Sequence, residues 1–144
     1  MVPVEVEGVR LDRAEPTEAT EPVFLTPDDR TYVMLRSPEG SRALDIQIGS
    51  AEAFAISSML EGKRWDRPTT HDLLGEVIAA LGATLRQVVI TEYREDGVYI
   101  AELELTNQDG DALRVSARPS DAMALALRLN APILVNEALF ADAA

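Results

Sequence analysis

The chain has 144 residues, with 47 % hydrophobic and 26 % charged content, enough to bury a core without covalent staples. It contains no cysteine, which excludes disulfides and thiolate metal sites. Its formal charge of -12, from 25 acids against 13 basic residues with a single lysine, argues against a non-specific polyanion binder.

Met1-Val2-Pro3-Val4-Glu5 has neither a basic start nor an apolar run, so no secretory leader is expected. No stretch approaches the roughly 18 apolar residues of a membrane span. A cytoplasmic location without membrane contact is the expectation. Val4 to Leu11 alternates apolar and polar residues as a half-buried strand does. Residues 12–30 carry Pro16, Pro22 and Pro27 among acids and predict an acidic surface loop, with a brief extended piece at Val23-Phe24-Leu25. Thr31 to Arg36 and Ala43 to Ile48 read as strands joined by a tight turn at Ser37-Pro38-Glu39-Gly40.

A helix is predicted from Ser50 to Glu61, capped by Ser50, with Glu52 in its first turn and Gly62 as its stop. A second is predicted over 70–81, with Thr69 or Thr70 as cap and Gly82 as stop. Leu73, Leu74, Val77, Ile78 and Leu81 form one apolar stripe along it. Two strands, Leu85 to Tyr93 and Val98 to Thr106, flank Arg94-Glu95-Asp96-Gly97. A turn at Asn107-Gln108-Asp109-Gly110 then leads to a strand over 112–117. A third helix spans Ser120 to Leu129 and stops at Asn130 and Pro132; a short strand, Ile133 to Val135, and a helical tail follow. The fold class is therefore α+β: a mostly antiparallel sheet with three main helices in a single domain over 1–144.

Shifting the chain by 69 residues lays Ala43–Leu60 over Ala112–Leu129. Ala43/Ala112, Leu44/Leu113, Ala53/Ala122, Ala55/Ala124 and Leu60/Leu129 are identical, and Glu52 falls on Asp121. Two pseudo-repeated hairpin-helix units, about 43–60 and 112–129, would each place a carboxylate at a helix start. Two amphipathic units sharing one binary pattern explain part of the likeness.

Two polar clusters stand at helix entries. Arg67-Pro68-Thr69-Thr70-His71-Asp72 holds the only histidine, a side chain suited to proton transfer near neutrality. Asp72 follows His71 directly on a helical turn and cannot face the same way, so the two make no ready dyad. Arg118-Pro119-Ser120-Asp121 holds an arginine fixed in extended backbone by the proline, beside the amides of a helix start. Such an arginine can grip a phosphate or carboxylate in two-point fashion. Capping and an Arg118 ion pair to Asp72 or Asp121 explain the same residues without chemistry. Phe54, Met59, Trp65 and Met123 read as core or interface, and no interleaving of basic and aromatic residues for base stacking is evident.

Ile48 to Ile56, Arg67 to Leu74 and Ala117 to Arg128, followed by Ala131-Pro132-Ile133, resemble in order and spacing the motifs of the bifunctional nuclease domain family. The resemblance runs from Val4 to about Leu139. It implies a compact α+β domain, commonly homodimeric, and cleavage of RNA and DNA. The family's polar motif residues match Glu52, Arg67, Thr70, His71, Asp72, Arg118, Ser120 and Asp121. On this reading Glu52, Asp72 and Asp121 hold a Mg²⁺ or Mn²⁺ ion, His71 moves a proton, and Arg67 and Arg118 clamp phosphate, with Thr70 and Ser120 as further binding residues. The chain departs from the family in its longer, more acidic 12–30 segment, and in Ser116, where an acidic residue is frequent. The alternative is a non-catalytic dimeric module binding a small anionic ligand or a protein partner, which suits the negative charge.

Overall fold

The computed structural model describes residues 1–13 and 29–142. Its elements are β1 (Val2–Asp12), β2 (Arg30–Arg36), β3 (Ala43–Ile48), α1 (Ser50–Leu60), α2 (Thr70–Ala80), β4 (Thr84–Tyr93), β5 (Tyr99–Thr106), β6 (Ala112–Ala117), α3 (Pro119–Leu129), β7 (Ile133–Val135) and α4 (Ala138–Asp142). Among the described residues the strands form one seven-stranded sheet in the order β3-β2-β1-β7-β4-β5-β6, in which only the β4–β7 pairing is parallel. The α+β architecture expected from the sequence is present. Asp12 and Arg30, the ends of the expected acidic loop, instead pair with each other in the β1–β2 ladder. The rest of that loop, with Val23-Phe24-Leu25, lies outside the described residues. No helix is long and apolar enough to cross a membrane among the described residues.

Alternation along the strands sorts the sheet into two faces. Val33 and Leu35 of β2, Leu44 and Ile46 of β3, Val88 and Ile90 of β4, and Ala101, Leu103 and Leu105 of β5 are buried. The helices cover this face, and α3 forms the centre of the cover, packing on α1, α2, β4 and β5. Small residues make that close approach possible: Ala122, Ala124 and Ala126 are fully or almost fully buried on α3, and Ala53 is buried on α1. The opposite face carries ion pairs: Arg10 and Arg36 both reach Asp45, and Arg36 also reaches Glu7.

The helix ends follow the sequence signals with one exception. Asn130 closes α3 in the left-handed conformation at φ 55°, which Asn tolerates better than most residues. Gly62, at φ 72°, donates to the Met59 carbonyl and closes α1. Ser50 does not cap α1. Gly49 is the cap, without a side-chain hydrogen bond, and Ser50 is already helical. The reason is local: the Glu52 carboxylate folds back over Gly49, where a Cβ would collide with it.

The ranges of β3 and β6, and those of α1 and α3, are offset by the same 69 residues, and β3 and β6 are the two edges of the sheet among the described residues. A clear departure concerns α2. Most of its apolar stripe stays out of the core: Leu73, Leu74, Val77 and Leu81 are exposed, Ile78 is partly buried against the core, and the buried residues of the helix are His71 and Gly75. Gly75 faces α3, where an added Cβ would press on Leu129 at 3.1 Å, so α2 packs through its smallest residue. The stripe marks the helix but not the side that it buries.

Met123 is fully buried between the helices and the sheet. Met123→Ala should therefore destabilise the protein by about 2–5 kcal/mol in urea or guanidinium unfolding. Leu113→Ala on the exposed edge strand should change stability by roughly 0.5 kcal/mol or less.

Candidate functional site

The segment before α2 cannot be helical at Arg67, because Pro68 follows it, and the chain enters the helix through Thr69. Asp72 locks that entry by accepting from the Thr69 backbone N–H at 3.1 Å and from its hydroxyl at 2.9 Å. The other Asp72 oxygen faces Arg128 of α3 at 2.7 Å. With both oxygens engaged, Asp72 holds α2 to α3.

Its neighbour His71 points elsewhere, as consecutive helical positions must. The imidazole is buried, and its Nε2 lies 3.0 Å from Oδ1 of Asp121. Asp121 stands in the first turn of α3, which Pro119 opens at its first position. The same carboxylate is bracketed by Arg118, whose Nε donates to Oδ2 at 2.8 Å and whose Nη2 donates to Oδ1 at 3.2 Å. Arg118 Nη2 also meets Glu52 of α1 at 3.3 Å. A chain of charge thus runs Glu52–Arg118–Asp121–His71 and ties the starts of all three main helices together. Glu52 and Asp121, superimposed by the 69-residue shift, share one arginine.

Burial opposes ionisation of Asp121, but the hydrogen bonds and charges of Arg118 and His71 together hold its carboxyl below the ordinary aspartate range. Asp121 raises the Arg118 guanidinium in turn, so the pair is ionised throughout the neutral range. His71 Nδ1 and Arg118 Nη1 have no hydrogen-bond partner among the described residues.

These side chains line a cleft of about 470 Å³ between α1, α2 and α3, a volume in the range of small-molecule sites. Glu52, Thr70, His71, Asp72, Arg118 and Asp121 all line it. Two expected binding residues do not. Arg67 is exposed on the approach to α2, outside the lining, and Ser120 is buried in the first turn of α3, away from the cleft. Four residues that sequence reasoning passed over do line it: Lys63, Arg64, Trp65 and Arg128. Lys63-Arg64-Trp65-Asp66-Arg67 was the available signal, three cations around an aromatic in a chain poor in both. With Arg118, the lining holds four cations against three carboxylates, a near balance on a protein of charge -12.

A divalent cation held by Glu52, Asp72 and Asp121 would need those carboxylates turned toward one point. The arginines compete for them: Arg118 takes Glu52 and Asp121, and Arg128 takes Asp72. Among the described residues, no group of three or more His, Asp or Glu side chains is placed to hold a metal ion. The expected three-carboxylate cage does not fit this arrangement.

Comparison with known proteins agrees with the motifs that built this cleft. The bifunctional nuclease domain model matches residues 33–144. An uncharacterised protein of Mycobacterium tuberculosis (strain CDC 1551 / Oshkosh) is 39 % identical over 140 residues, covering 97 % of this chain and 74 % of its own. A counterpart from strain H37Rv of that organism has the same identity and coverage. Bifunctional nuclease 1 of Oryza sativa subsp. indica is 28 % identical over 106 residues, 72 % of this chain but 32 % of the rice protein. The chain belongs to the bifunctional nuclease domain family.

Proposed function

We propose that the protein hydrolyses phosphodiester bonds in RNA or DNA at the Glu52–Arg118–Asp121–His71 cluster. The observation that carries this reading is the 3.0 Å contact between His71 Nε2 and Asp121 on the wall of a cleft that Lys63, Arg64, Arg118 and Arg128 also line. When Nε2 carries the proton and donates it to Asp121, Nδ1 is left as an acceptor. That nitrogen takes a proton from the attacking water, whose oxygen bonds to phosphorus as the P–O bond to the departing sugar oxygen breaks and that oxygen takes a proton from solvent, while Asp121 holds the ring in its tautomer and orientation. Arg118 is fixed by two carboxylates and keeps Nη1 for a non-bridging phosphate oxygen, where charge grows in the transition state. Asp72 takes no part in the reaction and positions α2.

Support comes also from the family membership and from the name of the rice relative. His71→Ala should lower kcat on single-stranded RNA or DNA by roughly 10²–10⁴-fold, assayed with and without added Mg²⁺ or Mn²⁺. His71→Gln, which keeps a polar group in the buried position, separates this effect from unfolding. Cleavage that survives both substitutions at the wild-type rate would assign the activity to a contaminant.

The lowered Asp121 carboxyl has a stability consequence with a definite sign. A carboxyl depressed in the folded state stabilises the protein above the ordinary aspartate range and loses that contribution as the pH falls through its folded value. Wild type should therefore exceed Asp121→Asn in stability at pH 7, and the gap should narrow below about pH 4. Urea midpoints for both proteins at pH 7 and pH 3 measure this directly.

The alternative, a dimeric module binding a small anion or a protein partner, draws on a different observation. Leu73, Leu74, Val77 and Leu81 of α2 and Leu113 and Val115 of edge strand β6 are all exposed. The loop after α2 meets the β5–β6 turn, where Gly82 abuts Gln108. An apolar helix face beside an unpaired strand edge suits a second copy of the chain, and a homodimer built there is compatible with either function. Leu113→Glu combined with Val115→Glu should halve the mass in sedimentation while leaving the fold intact. An unchanged mass would place the contact elsewhere or show a monomer.

A further inference from the structure

Phe54 and Trp65 are large aromatic side chains left 60 % and 51 % exposed, although both line the cleft that holds the charged cluster. Their rings touch, with centroids 6.2 Å apart and planes tilted by 39°. Phe54 stands two residues beyond Glu52 on α1, and Trp65 lies on the segment that carries the chain to α2, so the pair bridges two walls of the cleft. The same segment supplies Lys63 and Arg64. Lys63 pairs with Glu61 at 3.1 Å, whereas Arg64 has no ion-pair partner among the described residues.

A structural aromatic pair would be expected to turn inward, since burial is what such rings gain from packing. This pair instead keeps ring surface in solvent beside unpaired positive charge. That combination fits a ligand with a flat π-face joined to an anion. We propose that Phe54 and Trp65 form a stacking platform for one unpaired nucleobase of a single-stranded nucleic acid whose neighbouring phosphate lies at Arg118, with Arg64 meeting the next phosphate. The proposal rests on the phosphodiesterase reading of the same cleft and adds its substrate form. A duplex keeps its bases stacked inside and offers no face to the platform, whereas a single strand does. Stacking is also the contact least penalised on an acidic protein, because it owes little to net charge. The tilt and close spacing of the rings leave no room for a base between them, so the base stacks on the exposed indole face.

Trp65 is the only tryptophan in the chain, so intrinsic fluorescence reads this position alone. The experiment titrates wild-type protein with a short phosphorothioate-linked single-stranded oligonucleotide, an abasic oligomer of the same length, and a blunt duplex. The base-bearing single strand should quench Trp65 and bind roughly tenfold tighter than the abasic oligomer, and the duplex should not quench. Trp65→Leu, followed by anisotropy of a labelled single strand, should lose a similar factor with an unchanged thermal midpoint. In cleavage of single strands it should raise KM and leave kcat nearly as it was. Equal binding of base-bearing and abasic strands without quenching would overturn the platform and leave the phosphodiesterase reading standing. Binding of neither would overturn both. An emission shift that depends on protein concentration alone, with no response to oligonucleotide, would give the pair to a second copy of the chain and overturn the proposal.

Discussion

Asp121 has to satisfy two demands with one carboxylate: it receives Arg118 on both oxygens and stands 3.0 Å from the buried His71. A partly buried carboxylate is costly unless it is paired, and a buried imidazole needs a partner for its ring nitrogens. Each group removes the other's penalty only if α2 and α3 meet with His71 opposite Asp121. Arg118 extends the constraint to α1 through Glu52. The relative position of three helix starts therefore depends on one charged cluster, and the cleft is the space left between them. Removing Asp121 would leave Arg118 and His71 competing for no acceptor at the same place.

Two carboxylates converge there from the same position of two helices. β3-α1 and β6-α3 span ranges offset by 69 residues, and each helix carries its acid at the third position. Arg118 belongs to one unit only; its counterpart position is Gly49. That asymmetry has a use. The glycine leaves room for Glu52 to fold back toward the helix start, from which it reaches the arginine of the other unit. A side chain at position 49 would displace the carboxylate and leave Arg118 held by Asp121 alone.

Much of this was legible in the sequence, and the failures have physical causes. Strand alternation and helix stops place β3, β5 and α3 to within a residue or so, because Gly, Pro and Asn impose backbone conformations that no tertiary contact overrides. The clusters around His71 and Arg118 could be found from their residue types, but their pairing could not. Asp72 is His71's neighbour in sequence and Asp121 its partner in space, fifty residues away. The side that α2 buries was also illegible: periodicity reports an apolar stripe, and four of its five residues are exposed. Helix packing through Gly75 leaves no hydrophobic signal at all. Trp65 was passed over for the opposite reason, since a lone aromatic looks like core until its exposure is known.

The net charge, which first argued against a polyanion substrate, loses force once its distribution is seen. At 0.15 M ionic strength, charges more than about 8 Å apart are largely screened, so a phosphate entering the cleft responds chiefly to the groups lining it. Those are four cations and three carboxylates, and the carboxylates are already turned onto Arg118 and Arg128. An acidic exterior around a cleft with its own cations therefore does not by itself exclude the proposed substrate. In the proposed complex the two features have separate tasks: Arg64 and Arg118 meet the phosphates, and the Phe54–Trp65 pair tells an anion that carries a nucleobase from one that does not.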